Sequence, residues 1–427
     1  MKQKLYLLIT TLLISFLISE IALTLMTEKD LDGNLSFNYV HLKPYHLPIL
    51  ETAKKIKEIE NNKLPDSLLV NYENENFTRE YFNVRLIPDS LLGWVPNPIF
   101  KSTDGLYIYN RDGIRSRDIL TEYPPKTKLR IAIFGDSYSH GDEVAFENTI
   151  GNYLEEFLAK NNVDSEVLNF AVSGYGIDQA FLRWNLINEQ FKPDIVILGI
   201  QFENAKRNIN LVRPFYYYIT EIPYSKPRFV IEGNKLQLLK NPIVDITKTV
   251  DIIEHFNNWE FSHFEGFYSE ENYNPNIFYY SKTISIVSST FSQLLDEVDF
   301  YKPQHESFQV TYKVFEMFKD SVERKGQIFI PVHLPVKSDF DFLTQKFLDF
   351  AYDKKFIYDE LFDALTKKAN FVESYRALES WNKANDNEGL FMKHHYSPKA
   401  NKIIANQIFD FIQNEHPQIF IHSARKD

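Results

Sequence analysis

Four short stretches of this chain carry side chains with the chemistry for attack on a carbonyl carbon. Gly135-Asp136-Ser137-Tyr138 follows the apolar run Arg130 to Phe134, so Ser137 falls on a tight turn leading toward a helix. A hydroxyl there is placed for nucleophilic attack, while Asp136 or Ser137 is equally suited to capping the helix. A second apolar run ends in Asn169 to Gly176 (NFAVSGYG). A glycine such as Gly174 lets its N–H approach a ligand closely, as a donor to an oxyanion must; a plain strand-to-helix turn asks for the same residue. The third run ends in Gln201-Phe202-Glu203-Asn204. The Asn204 amide is a turn residue or a further oxyanion donor, and loss of one such donor typically costs ~3 kcal/mol of transition-state stabilisation. The last piece, His394-His395-Tyr396-Ser397-Pro398, stands before a closing helix, from which a histidine can reach over a sheet edge toward Ser137 as general base. Paired histidines also suit a metal, but no further ligand stands nearby at ligand spacing, so neither a metal nor a cofactor is expected. His140 is near enough to Ser137 to line a pocket, with a solvated loop as its plainer setting.

These pieces need elements that bring them to one place. Arg130–Phe134, Glu166–Val172, Asp194–Ile200 and Gln327–Val332 read as buried strands, and helical patterns cover Glu147–Lys160, Asp178–Phe191 and about Glu306–Arg324. Alternating strands and helices predict a parallel sheet covered on both faces, with ligands at the carboxyl ends of its strands. The closing helix begins at Pro398, with Ser397 as its cap. Residues 209 to about 300 interrupt the alternation and form an insertion that covers the site or binds a partner. Within it, Arg228–Leu239 reads as a hairpin turning at Gly233-Asn234, and Phe215–Tyr218 as a buried strand edge or a platform for sugar rings. Residues 27 to 95 are polar and mixed, with one helical stretch near 49–61, and read as a stalk and lead-in.

Composition narrows the partners. The 427 residues include no cysteine, which excludes disulfides and thiolate chemistry. A net charge of -11 without basic runs argues against nucleic acid. Leu5 to Met26 is an apolar run interrupted only by Glu20, long enough to cross a bilayer. Lys2 and Lys4 precede it, which leaves the N-terminus in the cytoplasm and the bulk of the chain outside. A cleaved signal would want small residues at a cleavage site, and Ser19-Glu20-Ile21-Ala22 shows no A-x-A pattern, so residues 1–26 are read as a single-pass anchor.

The four stretches, in this order, resemble the SGNH/GDSL hydrolase family. GDSY at 135–138 is similar to its first block, NFAVSGYG at 169–176 to its second, LGIQFEN at 198–204 to its third and HHYSPKANKIIA at 394–405 to its last. YNRDGIRS at 109–116 resembles the lead-in of membrane-associated members. The resemblance implies a flavodoxin-like three-layer α/β sandwich over 96–427, with the insertion after the third strand. It implies Ser137 as nucleophile and His395 as base, with an oxyanion hole from the Ser137 and Gly174 N–H groups and the Asn204 side chain. Two positions depart from the pattern. Glu203-Asn204 stands where the family has Asn-Asp, and Met392-Lys393 stands where it carries an aspartate before the histidine. Asp386, Glu388, a backbone carbonyl or water are the replacements for that acid, and a dyad with a carbonyl partner is expected. The function implied is a membrane-anchored esterase or acyltransferase acting outside the cytoplasm. Its substrate would be an acylated glycan, with O-acetyl the expected group, or a small ester. The alternative is a non-catalytic protein binding glycan or a polysaccharide-assembly partner.

Overall fold

Apolar runs without alternation form strands buried on both faces, and such strands build the body of this protein. A computed structural model describes all residues except 1, 38–39, 65–70, 73–76, 79–80, 124–127, 219, 275, 386–388 and 424–427. The chain begins with α1 (Lys2–Met26), whose apolar side chains point away from the rest of the molecule. Among the described residues it is the one helix long and apolar enough to cross a membrane. The body then runs β1 (Leu129–Phe134), α2 (Ile150–Lys160), β2 (Ser165–Asn169), α3 (Ile177–Phe191), β3 (Ile195–Ile200), α4 (Lys282–Asp299), α5 (Glu306–Arg324), β4 (Ile328–His333), β5 (Val372–Glu373) and α6 (Pro398–Glu415).

The strands pair in parallel in the order β2-β1-β3-β4-β5, which is the flavodoxin-like order. Alternate residues divide between two cores. Ala132, Phe134, Val196 and Leu198 pack under α3 and α5, whereas Ile131, Ile133, Ile195 and Ile197 pack under α2 and α6. The three-layer sandwich expected from the sequence is therefore present. Register decides where the loops emerge: Ile133 lies opposite Asn169 and Phe134 opposite Leu198. The segments after β1, β2 and β3 consequently leave one sheet edge together.

Three details differ from the sequence reading. The fifth strand, only Val372–Glu373, is too short to show a periodicity. Phe215–Tyr218 does not form a strand edge. Arg213–Tyr216 is a short helix that buries Phe215 against Phe256, Tyr268 and Tyr273, and Tyr217 is exposed. The end of the lead-in is packed rather than stalk-like. Leu86–Asp89 and Gly93–Pro96 pair as an antiparallel hairpin, whose fully buried Trp94 joins a core with Val172 and Tyr175. Inside the insertion, Arg228–Glu232 and Lys235–Leu239 do form a hairpin, and Phe229 anchors it against Phe181 of α3.

Candidate active site

Ser137 opens a short helix, Ser137–His140, directly after β1. The turn depends on Gly135, at φ +141°, where a Cβ would stand 2.7 Å from the Gly199 carbonyl oxygen. Asp136 caps the helix by accepting from the Tyr138 N–H at 3.0 Å. Its other oxygen pairs with Arg207 at 2.9 Å. Burial pushes the Asp136 carboxyl up, and Arg207 opposes that shift only in part.

His395 comes from a tight loop ahead of α6. The Met392 N–H donates to the His395 carbonyl at 2.8 Å and the Ser397 N–H to that of Leu390 at 2.9 Å. Ser397 then caps α6 through the Ala400 N–H. The Tyr138 hydroxyl donates to the His394 carbonyl at 3.0 Å, and its ring lies 5.0 Å from that of His395. Tyr138, the residue after Ser137, thus helps hold His395. His395 Nε2 stands 2.8 Å from Ser137 Oγ.

The other ring nitrogen meets a residue that sequence reasoning missed. His395 Nδ1 is 3.2 Å from Glu143 Oε1, and Glu143 Oε2 accepts from the His394 and His395 N–H groups at 3.0 and 3.3 Å. The carbonyl partner expected for His395 is replaced by this carboxylate; Asp386 and Glu388 lie outside the described residues. Glu143 adopts a left-handed backbone, φ 68°, immediately after the turn that ends the Ser137 helix. Partial burial disfavours its charge, but the two amides and the His395 ring outweigh that and hold the carboxyl below its usual range. An ionised carboxylate only accepts, so Nδ1 carries the proton and Nε2 is left to accept from the Ser137 hydroxyl. A weak signal for Glu143 does exist in the sequence: Gly141-Asp142-Glu143 puts a glycine-hinged carboxylate six residues after Ser137.

Gly174 has φ +84°, and a Cβ there would meet the Ile222 side chain at 3.1 Å and the Trp94 ring at 3.4 Å. Neither the Ser137 nor the Gly174 N–H donates to any described residue. Two free amides therefore stand at the sheet edge that carries the serine. The preceding Ser173 is locked from both sides. Its hydroxyl donates to Asp142 at 2.8 Å, Arg85 donates to it at 3.0 Å, and Trp94 Nε1 donates to its carbonyl at 3.0 Å.

Asn204 reaches the same edge but is fully buried. Asp136 Oδ2 and the Gln201 side-chain and main-chain oxygens surround its amide, so the orientation that satisfies them turns the nitrogen toward them, at 3.1, 2.9 and 2.8 Å, and engages both N–H groups. His140 is not in a solvated loop. Completely buried, it meets Asp142 at 2.5 Å through Nδ1 and the Tyr109 hydroxyl at 3.0 Å through Nε2, away from Ser137. Burial pushes it down to about 4, with Arg115 acting in the same direction and Asp142 against it.

No protein-family model and no curated protein matches the sequence. Solved structures similar to it include an acetyl xylan esterase, AlAXEase, at 10% identity and a TM-score of 0.37, covering 66% of this chain and 100% of that one. A second is the psychrotrophic esterase EstA from Pseudoalteromonas sp., at 11% and 0.32, covering 67% and 98%. A third is a member of the lipolytic protein G-D-S-L family from Veillonella parvula DSM 2008, at 9% and 0.31, covering 66% and 96%. Likeness this distant carries nothing about chemistry, which rests on the residues of this chain.

Proposed function

We propose that this protein is a serine esterase-type enzyme of the SGNH/GDSL kind, held to the cell membrane by residues 1–26 with its catalytic body outside the cytoplasm. The observation that carries the reading is the line from Ser137 Oγ to His395 Nε2 at 2.8 Å and from His395 Nδ1 to Glu143 at 3.2 Å. In the reaction, His395 takes the Ser137 proton as Oγ attacks the acyl carbon, and Glu143 stabilises the charged ring. The Ser137 and Gly174 amides receive the oxyanion. Collapse breaks the bond to the alcohol, which departs with the proton from His395, and the acyl group stays on Ser137. Asn204 enters as the residue that steadies Asp136, rather than as the third oxyanion donor that the family resemblance implies.

Water or a sugar hydroxyl then takes the acyl group by the reverse sequence. An exported body on an anchor suits an O-acetylated envelope glycan as substrate or acceptor. An absent acid would favour a non-catalytic binder, and the Glu143 carboxylate beside His395 Nδ1 supports the enzyme instead. Intact-mass measurement after treatment with a fluorophosphonate tests the reading. A single adduct on Ser137 is expected, absent from Ser137→Ala. A folded parent that takes no adduct from any ester or fluorophosphonate probe removes the enzyme.

A further inference from the structure

The insertion contains a helix built inside out. In water a helix buries its apolar stripe and exposes its polar face. In α4 two of the serines face inward. Ser285 and Ser289 are buried, the first donating to the Lys43 carbonyl at 2.7 Å and the second accepting from the Lys43 N–H at 2.9 Å. Gln293, on the same side, donates to the His41 carbonyl at 2.9 Å. The apolar residues point outward: Ile284, Val287 and Phe291, at spacings of three and four, are 39%, 65% and 62% exposed. The turn before the helix continues the patch, with Ile277, Phe278 and Tyr280 at 77%, 63% and 80%.

Charge is distributed along α4 in the same sense. From Lys282 to Leu295 the one charged residue is Lys282, whereas Asp296, Glu297 and Asp299 crowd the far end.

The patch is tied to the apolar N-terminal helix. Glu20 of α1 accepts from the Ser281 hydroxyl at 2.6 Å, the Lys282 N–H at 2.9 Å and the Thr283 N–H at 2.7 Å, and Ser19 meets Thr283 at 2.9 Å. The carboxylate of one helix thus satisfies the open N–H groups of the other. Glu20 lies six residues before the end of α1 at Met26, or about 9 Å along the axis at 1.5 Å per residue. Its partners at the start of α4 share that depth.

From these observations we propose that Ile277–Phe291 is a second membrane contact, which seats the body on the outer leaflet beside the anchor. The inference rests on the reading of α1 as membrane-spanning. The occupant is lipid: the exposed stripe continues the lipid-facing surface of α1, and the hydrogen bonds of Glu20 set its depth within the headgroup and upper acyl region. The docked turn and helix hold the body in one orientation above the bilayer, where a lone α1 would leave it free to swivel.

The absence of cysteine makes a direct test simple. Full-length protein is labelled with a nitroxide at Phe278→Cys, Val287→Cys, Leu12→Cys or Leu186→Cys, one at a time, and reconstituted in phosphatidylcholine–phosphatidylglycerol vesicles. Accessibility to oxygen and to a nickel chelate is then read at each site. Positions 278 and 287 are expected to favour oxygen, as position 12 does, while position 186 on α3 favours the chelate. Chelate access at 278 and 287 with position 12 in lipid overturns the seating and leaves the anchor intact. Chelate access at position 12 overturns both. Shielding of 278 and 287 from both reagents, with spin–spin broadening in singly labelled protein, means that a second copy covers the patch and also overturns the proposal.

Discussion

Glu143→Gln gives the most direct test of the site. The carboxylate accepts three hydrogen bonds, two from backbone amides at 3.0 and 3.3 Å and one from the His395 ring at 3.2 Å. Glutamine keeps the shape. Its carbonyl oxygen still satisfies the two amides, which turns its NH2 toward His395 Nδ1. That favours a ring protonated at Nε2, unable to accept from Ser137. The wrong tautomer at a triad costs up to about 10⁴ in turnover. The Glu143 side chain is 24% exposed, so water can stand in for part of the loss. The expected fall in kcat/KM for a p-nitrophenyl acetate substrate is about 10²–10⁴, or about 3–5 kcal/mol of transition-state stabilisation.

Glu143→Gly separates catalysis from folding. Left-handed backbone costs a side-chain residue about 1 kcal/mol that glycine does not incur, and Glu143 sits at φ 68°. That relief offsets part of the lost bonds, so Tm should move by only a few degrees while activity falls as far as in Glu143→Gln. A Glu143→Gln enzyme within fivefold of the parent, folded by circular dichroism, would refute the assignment of Glu143 as orienting acid.

Other outcomes follow from the same contacts. Ser137→Ala and His395→Ala should abolish turnover, with Tm near that of the parent; residual turnover in either above a thousandth of the parent rate counts against the mechanism. Asp386→Ala and Glu388→Ala should each keep activity within about tenfold, because a true triad acid is worth up to about 10⁴; a collapse at either, read by the same assay, transfers the role away from Glu143. Asn204→Ala removes a hydrogen bond to the buried Asp136 carboxylate, which is worth about 1.5–3 kcal/mol. It should therefore lower Tm by several degrees yet cost less activity per folded molecule than the 10²–10³ of a lost oxyanion donor. His140 is held down to about 4 by burial, so between about pH 6.5 and 4 the unfolded chain takes up a proton that the folded one refuses. Stability should fall on acidification through that window by up to about 1.4 kcal/mol per pH unit. Tm measured from pH 7.5 to 4.5 should fall less steeply in His140→Gln, and parallel curves would count against a buried neutral histidine.

How far the sequence spoke depended on the kind of signal each element carries. β1 and β3 are apolar without alternation, which only a sheet covered on both faces produces, so the sandwich and the edge bearing Ser137 were legible. His395 was legible because Ser397 and Pro398 announce the helix that follows it. The two residues of β5 carry no period to read. Trp94 lies in a stretch whose composition suggests a stalk, and its burial arises from a hairpin pairing that local sequence does not display. His140 shows the same limit from the other side. A histidine two residues before a carboxylate and one before a glycine reads as solvated loop, whereas Tyr109, Arg115 and Asp142 enclose it. α4 was hidden because periodicity reveals an apolar stripe without saying which way it faces.

The acid was the hardest feature to read, and the turn that supplies it explains why it can stand so far from its expected seat. Asp142 and Glu143 are consecutive, yet they face opposite sides of the chain. Asp142 points inward, where it is held ionised against the cost of burial by Arg85 and His140, and it fixes Ser173 ahead of Gly174. Glu143 points outward to His395. Gly141 ends the Ser137 helix in the left-handed region at φ +79°, and Glu143 follows in the same region. One turn beginning four residues after Ser137 therefore holds both the Ser173-Gly174 side and the His395 side of the site. An aspartate beside the histidine is needed only where nothing else approaches Nδ1. Here the turn after the Ser137 helix delivers a carboxylate to that nitrogen, and the positions three and two residues before His395 are free to be methionine and lysine.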